Sequence, residues 1–136
     1  MVALDLITTA VLDRTNQLCI HGTLHRTAQF QQAKKFIDDH LAHPDISSAD
    51  VAAALGVSTR YVRDLLAEGG LSYRQYLLKQ RLKRCALDLV DPRLAHRTIA
   101  EVAYSWAFSD NTHFSRAFKQ EYGMSPRDYR ARTQPG

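Results

Sequence analysis

From residue 27 onward, apolar residues recur with the roughly 3.6-residue period of packed helices, and the pattern breaks where a glycine, a proline or a capping side chain falls. Phe30, Ala33, Phe36, Ile37 and Leu41 make one stripe, ended by His43-Pro44 because the residue before proline avoids helical backbone. Ser47, with Asp50 at the capping-box position, predicts a helix to Leu55 that turns Val51, Ala52 and Leu55 inward and stops at Gly56. Ser58 opens the next, from Thr59 to about Glu68, with Val62, Leu65 and Leu66 inward and Gly69-Gly70 as the stop. Ser72 caps a long helix to about Val90, whose buried stripe is Tyr76, Leu77, Leu82, Cys85, Ala86, Leu89 and Val90; Asp91-Pro92 breaks it. Thr98 with Glu101 opens a further helix with Ile99, Val102 and Ala103 inward. After the turn at Trp106-Ala107-Phe108, Ser109 or Asp110 caps a last long helix with Phe114, Ala117 and Phe118 inward, stopped by Gly123. Pro126 starts a short closing helix through Tyr129. The pattern upstream is weaker. Residues 2–12 read as a short amphipathic helix, and residues 15–26, broken by Gly22, as a linker. No segment alternates convincingly with period two, so the fold class is all-α, with about seven helices.

Laid over one another, these elements repeat. Gly70-Leu71-Ser72-Tyr73-Arg74-Gln75-Tyr76 and Gly123-Met124-Ser125-Pro126-Arg127-Asp128-Tyr129 share G-[LM]-S-x-R-[QD]-Y, 53 residues apart. Upstream, Asp50-Val51-Ala52 before Gly56-Val57-Ser58 matches Glu101-Val102-Ala103 before Ala107-Phe108-Ser109. A unit of short helix, tight turn, longer helix and glycine stop therefore occurs twice, the grammar of two helix-turn-helix modules. The first unit covers residues 47–70 and the second 98–123, joined by the helix over residues 72–90, whose eighteen residues after the Ser72 cap are roughly 27 Å long.

Charge sharpens this picture. Residues 1–57 carry a net of −2 and residues 58–136 a net of +6, so the basic excess lies where most of the repeat lies, as a phosphate-facing surface requires. A solvated helical surface of mixed charge is the plainer reading of the same numbers. Cys19 and Cys85 are too few and too far apart for a disulfide framework, and Cys85 falls on an apolar face as a core thiol. No apolar run reaches membrane-span length, and the first ten residues do not resemble a signal peptide, which points to a cytoplasmic setting. Cys19, His21 and His25 have metal-ligand chemistry at a spacing that matches no standard site, so no metal or cofactor is expected; His40 and His43 read as helix C-terminal histidines. No phosphate loop, nucleophile elbow or carboxylate pair marks an enzyme.

The inward stripes leave the outward positions by subtraction. In the first unit these are Thr59, Arg60, Arg63 and Asp64; in the second, Asn111, Thr112, His113, Ser115 and Arg116. Early exposed residues of a helix lying in the major groove reach base edges, where arginine reads guanine, asparagine reads adenine, and threonine offers a hydroxyl and a methyl.

Residues 27–132 resemble the DNA-binding domain of the AraC/XylS transcription regulators. The resemblance is carried by Ile99-Ala100-Glu101-Val102-Ala103, Phe108-Ser109-Asp110, Phe114-Ser115-Arg116-Ala117-Phe118, Tyr122 through Arg130, and Arg81-Leu82. It implies two helix-turn-helix lobes inserted on one face of double-stranded DNA, with RNA polymerase as a further partner. On the same footing, residues 1–26 are what is left of a sensing or dimerisation domain, and the chain binds as a monomer or as a dimer through them; residues 133–136 are a tail. The sequence departs from the family in three ways: Ala107 stands where the family has glycine, Asp64 where it often has arginine, and the segment from Leu66 to Gly70 is one residue shorter than its counterpart. These departures keep a rival in view, a helical protein-interaction module with weak or lost DNA binding. A DNA-alkylation-repair enzyme, whose similar domain is joined to a cysteine-based module, would need a thiolate cluster that two separated cysteines cannot supply.

Overall fold

Each helix start in the second half of the sequence pattern is held by the side chain that marks it. In the computed structural model, which describes residues 10–133 and the side chains of residues 22–132, Ser47 and Asp50 exchange both capping-box hydrogen bonds, and so do Thr98 and Glu101. The Glu101 carboxylate accepts from the Thr98 amide at 2.9 Å, which holds it below the usual carboxylate range. Ser58, Ser72 and Ser125 accept from the Tyr61, Gln75 and Asp128 amides at 3.0, 3.3 and 3.1 Å. Of the two candidates before the last long helix, Asp110 is the cap, accepting from the Thr112 and His113 amides at 2.9 and 3.3 Å. Seven α-helices result: α1 (Ala10–Asp39), α2 (Ser48–Leu55), α3 (Thr59–Glu68), α4 (Tyr73–Leu89), α5 (Ile99–Ser105), α6 (Asn111–Tyr122) and α7 (Pro126–Thr133), with one 3-10 turn at Pro92–Leu94 and no strand among the described residues.

The helix stops repeat as faithfully as the starts. After α2 the Gly56 and Val57 amides donate to the Ala53 and Ala52 carbonyls; after α5 the Ala107 and Phe108 amides donate to those of Tyr104 and Ala103. Both are Schellman turns, which place the C′ residue in left-handed backbone. Gly56 and Ala107 accordingly share φ of 71°, and Ala107 is the one non-glycine residue with positive φ among those described.

Two cores form, one per lobe. Ala33, Ile37 and Leu41 pack with Val51, Ala52, Val62, Leu66 and Tyr76 in the first. Leu82, Cys85, Ala86 and Leu89 pack with Val102, Ala103, Phe108, Phe114 and Phe118 in the second. Helix α4 thus contributes its N-terminal end to one core and its C-terminal half to the other. Trp106 packs against both; its indole N–H donates to Asp88 Oδ2 at 2.7 Å, and the Arg84 guanidinium lies 5.7 Å from its ring centroid. Two arginines fasten loops to this frame. Arg81 donates to the Leu41 and His43 carbonyls at 2.9 and 2.7 Å, and Arg130 to those of Leu89, Arg97 and Leu94 at 3.3, 2.6 and 3.0 Å. Burial pushes the Cys85 thiol up to about 12, so it stays protonated and acts as a small apolar side chain.

Beyond α7, which runs to Thr133 and not only to Tyr129, the structure corrects two expectations. Residues 15–26 are not a linker: α1 runs unbroken through Gly22. The side chains of residues 22–25 are all exposed, and a Cβ on Gly22 would meet nothing within 4 Å. A stretch that buries no side chain, as residues 22–25 bury none, needs no apolar stripe, so periodicity does not carry the helix across Gly22. Second, α1 ends at Asp39, before His43-Pro44, and His40 and His43 lie in the turn that follows. The His40 ring stacks on Phe36 at 4.1 Å and its Nδ1–H donates to the Phe36 carbonyl at 2.7 Å, while Leu41 remains buried. Most of the early helix expected over residues 2–12 and of the tail at 133–136 falls outside the described residues.

The matched turns make a mirror-image test. Ala107→Gly relieves a left-handed alanine and should raise stability by about 1 kcal/mol, a rise in Tm of about 4 °C for a chain of this size. Gly56→Ala, where an added Cβ touches nothing within 4 Å, should lower Tm by a comparable amount through backbone strain alone. Thermal melts of the two variants check this; an unchanged or lower Tm for Ala107→Gly would contradict strain at that residue.

Candidate nucleic-acid interface

Helices α3 and α6 each bury one stripe and expose the other. Val62, Leu65 and Leu66 are at most 2% exposed on α3, and Phe114 and Phe118 are fully buried on α6. Arg60, Arg63 and Asp64 on α3 are exposed, as are Asn111, Thr112, His113, Ser115 and Arg116 on α6; Thr59 is half-buried, less outward than its place in the stripe implies. On α3, Arg60, Arg63 and Asp64 fall at i, i+3 and i+4, one face of the helix. Thr112, Ser115 and Arg116 have the same spacing on α6. His113 leans toward the ring of Phe108, 6.3 Å between centroids, at the base of the second reader.

Electrostatics divides the arginines into two groups. Arg26, Arg81, Arg84, Arg93 and Arg130 are held by carboxylates, carbonyls or an indole ring. Arg60, Arg63 and Arg116 have no hydrogen-bond, ion-pair or ring partner among the described residues, and neither have Arg74, Arg127 and Arg132 outside these two helices. A guanidinium with five donors and no internal acceptor is open to phosphate or to a guanine edge.

The first reader is backed by α1. Arg26 pairs with Glu68 through both its Nε, at 3.2 Å, and a terminal nitrogen, and lies 5.2 Å from the Tyr61 ring centroid. Tyr61 hydroxyl in turn donates to Gln29 Oε1. The hydrogen bond to Glu68 raises the Arg26 pKa, and Asp64 contributes through its charge.

Clefts flank both readers. One is lined by Arg97, Ala100, Glu101, Tyr104 and Asn111, where α5 meets the start of α6, and Tyr104 is 76% exposed beside it. A second is lined by Arg63, Asp64, Tyr73 and Arg74, and a third by Arg74, Leu78, Ala107, Asp110 and His113. Sequence reasoning passed over Tyr104 and Arg74, because neither belongs to a recognition helix. For Arg74 a signal existed: it is the arginine of the repeated heptapeptide.

A helix-turn-helix domain model matches residues 51–132, both units and the helix between them. The chain belongs to the AraC/XylS family of DNA-binding transcription regulators. It is 33% identical over 128 residues to the transcriptional activator NphR of a Rhodococcus species, covering 94% of this chain and 37% of that protein. With the activator RhaS of Klebsiella pneumoniae it shares 32% over 121 residues, 88% of this chain and 42% of the relative. The chain thus spans only about two-fifths of the length of these curated relatives. Among solved structures, the C-terminal domain of AraT from Geobacillus stearothermophilus is 31% identical with a TM-score of 0.68, covering 78% of this chain and 85% of that one. An AraC-type regulator from Chromobacterium violaceum is 27% identical with a TM-score of 0.72, covering 81% and 96%.

In this AraC/XylS domain, Asp110 orients the start of the second reader. Asp110→Ala leaves the Thr112 and His113 amides without their acceptor and should cost about 1 kcal/mol. The frayed first turn carries Asn111 and Thr112, so any DNA affinity should fall further than a change in stability alone explains. Melting and binding measured on the same variant check this; a normal melt with normal affinity would remove Asp110 from the positioning of the reader.

Proposed function

We propose that this chain is the sequence-reading part of a transcription regulator, which inserts α3 and α6 into successive major-groove segments on one face of the duplex. The observation that carries the reading is that Arg60, Arg63 and Arg116 on the outer faces of α3 and α6 are exposed and, like Arg74, Arg127 and Arg132, have no partner among the described residues, while Arg81 and Arg130, which serve the frame, are bonded internally. Helix α4, with seventeen residues, is about 25 Å long, and with the readers' own offsets it spans about one helical turn of DNA, roughly 34 Å. In this reading Arg60, Arg63 and Arg116 bond guanine or phosphate, Asn111 reads adenine, Thr112 offers its hydroxyl and methyl, and His113 serves the backbone. Asp64 accepts from a cytosine amino group, and Thr59 supports the helix start. The activator names of NphR and RhaS extend the proposal to RNA polymerase as a second partner, met in the cytoplasm.

A duplex selected from a randomised pool tests the assignment. Arg116→Ala should cost about 1–3 kcal/mol on the selected sequence and much less on mixed-sequence DNA. Equal losses on both would make Arg116 a phosphate contact. Arg60→Ala with Arg63→Ala should relax selectivity at the other half of the site; retained affinity and selectivity would take the first lobe out of reading. A protein-interaction module would instead bind DNA weakly with a flat response to salt, since a DNA reader loses affinity steeply as phosphates regain counterions.

One chain supplies both readers, so dimerisation is assigned to residues 1–26. The side chains at residues 22–25 are exposed, and Arg26 and Phe30 of α1 line a cleft with Leu65 and Glu68 of α3. Deleting residues 1–25 should leave the fold and binding to a single two-lobe site intact and abolish any dimer seen by light scattering. Loss of the cooperative melt would contradict this division.

A further inference from the structure

We propose that Arg74, at the start of α4, contacts a DNA phosphate between the two major-groove segments, so that the joining helix itself touches the duplex. The proposal rests on the DNA-reading function above and adds a contact outside both recognition helices.

The repeated heptapeptide supplies the first argument. Gly70 and Gly123 share φ of 78° at their helix stops. Ser72 and Ser125 cap the helices that follow. Tyr76 and Tyr129 pack into the two cores. The shared arginine has no such employment: neither Arg74 nor Arg127 has a partner among the described residues, and both are exposed. Both also fall in the first turn of a helix, where the backbone amides present positive charge and a cation is disfavoured. The first turn of α4 contains no acidic residue to offset it. In α7 Asp128 shares the first turn with Arg127, so it is at Arg74 that the local rule is broken without an internal gain, which marks a place selected for something outside the fold.

Position supplies the second. Arg74 lines the cleft beside Arg63 and Asp64 of the first reader and also the cleft beside Asp110 and His113 of the second. It is the residue that the two clefts have in common. A group standing between two major-groove readers faces the sugar-phosphate backbone that separates their segments, and an unpaired guanidinium suits a phosphate oxygen there.

Lys83 provides a matched control. It is exposed on the same helix, nine residues on, about 180° around the axis at roughly 100° per residue. Affinity for a 30-base-pair mixed-sequence duplex would be measured by fluorescence anisotropy across a salt series for the whole chain and for R74A, R74K and K83A. We expect R74A to reduce the slope of log affinity against log salt by about 0.9, the value for one phosphate, and to weaken binding several-fold at low salt. R74K should keep the slope, K83A should match the unaltered chain, and the R74A melting temperature should hold or rise. An unchanged slope in R74A, an equal loss in K83A, or a lowered R74A melting temperature would overturn the proposal. So would a loss confined to a selected duplex, which would make Arg74 a base reader. If the unaltered chain itself bound without salt dependence, the DNA-reading function would fail, and that result is distinct from failure of Arg74 alone.

Discussion

Helix α4 is a wall of both cores, and the geometry of the whole molecule follows from that sharing. Tyr76 closes the first core, and Leu82, Cys85, Ala86 and Leu89 form one side of the second. A lobe of three helices has little surface to bury on its own, and α2 and α5, at eight and seven residues, are too short to be stable alone. Each lobe gains its missing wall from the same rod. Trp106, held by Asp88 and covered by Arg84, packs against both cores at once, so the second turn also touches the first lobe. Two readers carried on one rod keep a defined spacing, which is what two major-groove segments on one face demand.

Around this frame, charge is sorted by whether the fold can satisfy it. Arg81 and Arg130 close loops by bonding carbonyls left open where helices end, an internal use that requires partial burial and fixed geometry. Burial lowers the Arg81 pKa, and its two carbonyl partners offset the lost hydration. The arginines of the reading faces have no such acceptors and remain hydrated. Binding an anion then requires no internal ion pair to break, which favours rapid, salt-sensitive association.

The lobes are equivalent in plan and unequal in detail. The first has glycine in its Schellman turn, and the second has alanine in the same left-handed backbone. Helix α3 is also backed by a long helix through Arg26 with Glu68 and Gln29 with Tyr61, while α6 is backed by apolar side chains of α4 and α5 and, through an aromatic chain from Phe108 to Tyr129, by α7. The outer face of α3 carries Asp64 where that of α6 carries Arg116.

Much of this architecture was written in local chemistry. Ser47 with Asp50, Thr98 with Glu101 and the glycine stops act within one helical turn, so the residues alone set the starts of α2 through α7 and the ends of α2, α3 and α6, while α7 runs on to Thr133, past the expected end at Tyr129. The left-handed backbone at Ala107 was legible too, because the repeat aligns that residue with Gly56. The outward faces followed from the inward stripes, with only Thr59 more buried than its stripe implied. Helix α1 was not legible across Gly22, since a helix that packs against nothing there carries no stripe to read. The tertiary structure alone decided which cations remain available. Arg26, Arg81 and Arg130 look like the others in sequence, and only folding brings them to acceptors some forty residues away. Trp106 reads as a turn residue until two cores close on its ring, and Arg74 as part of a linker until the fold sets it between two readers. Caps and turns are short-range and can be read from neighbours, whereas packing and the pairing of charge depend on residues that only the folded chain brings together.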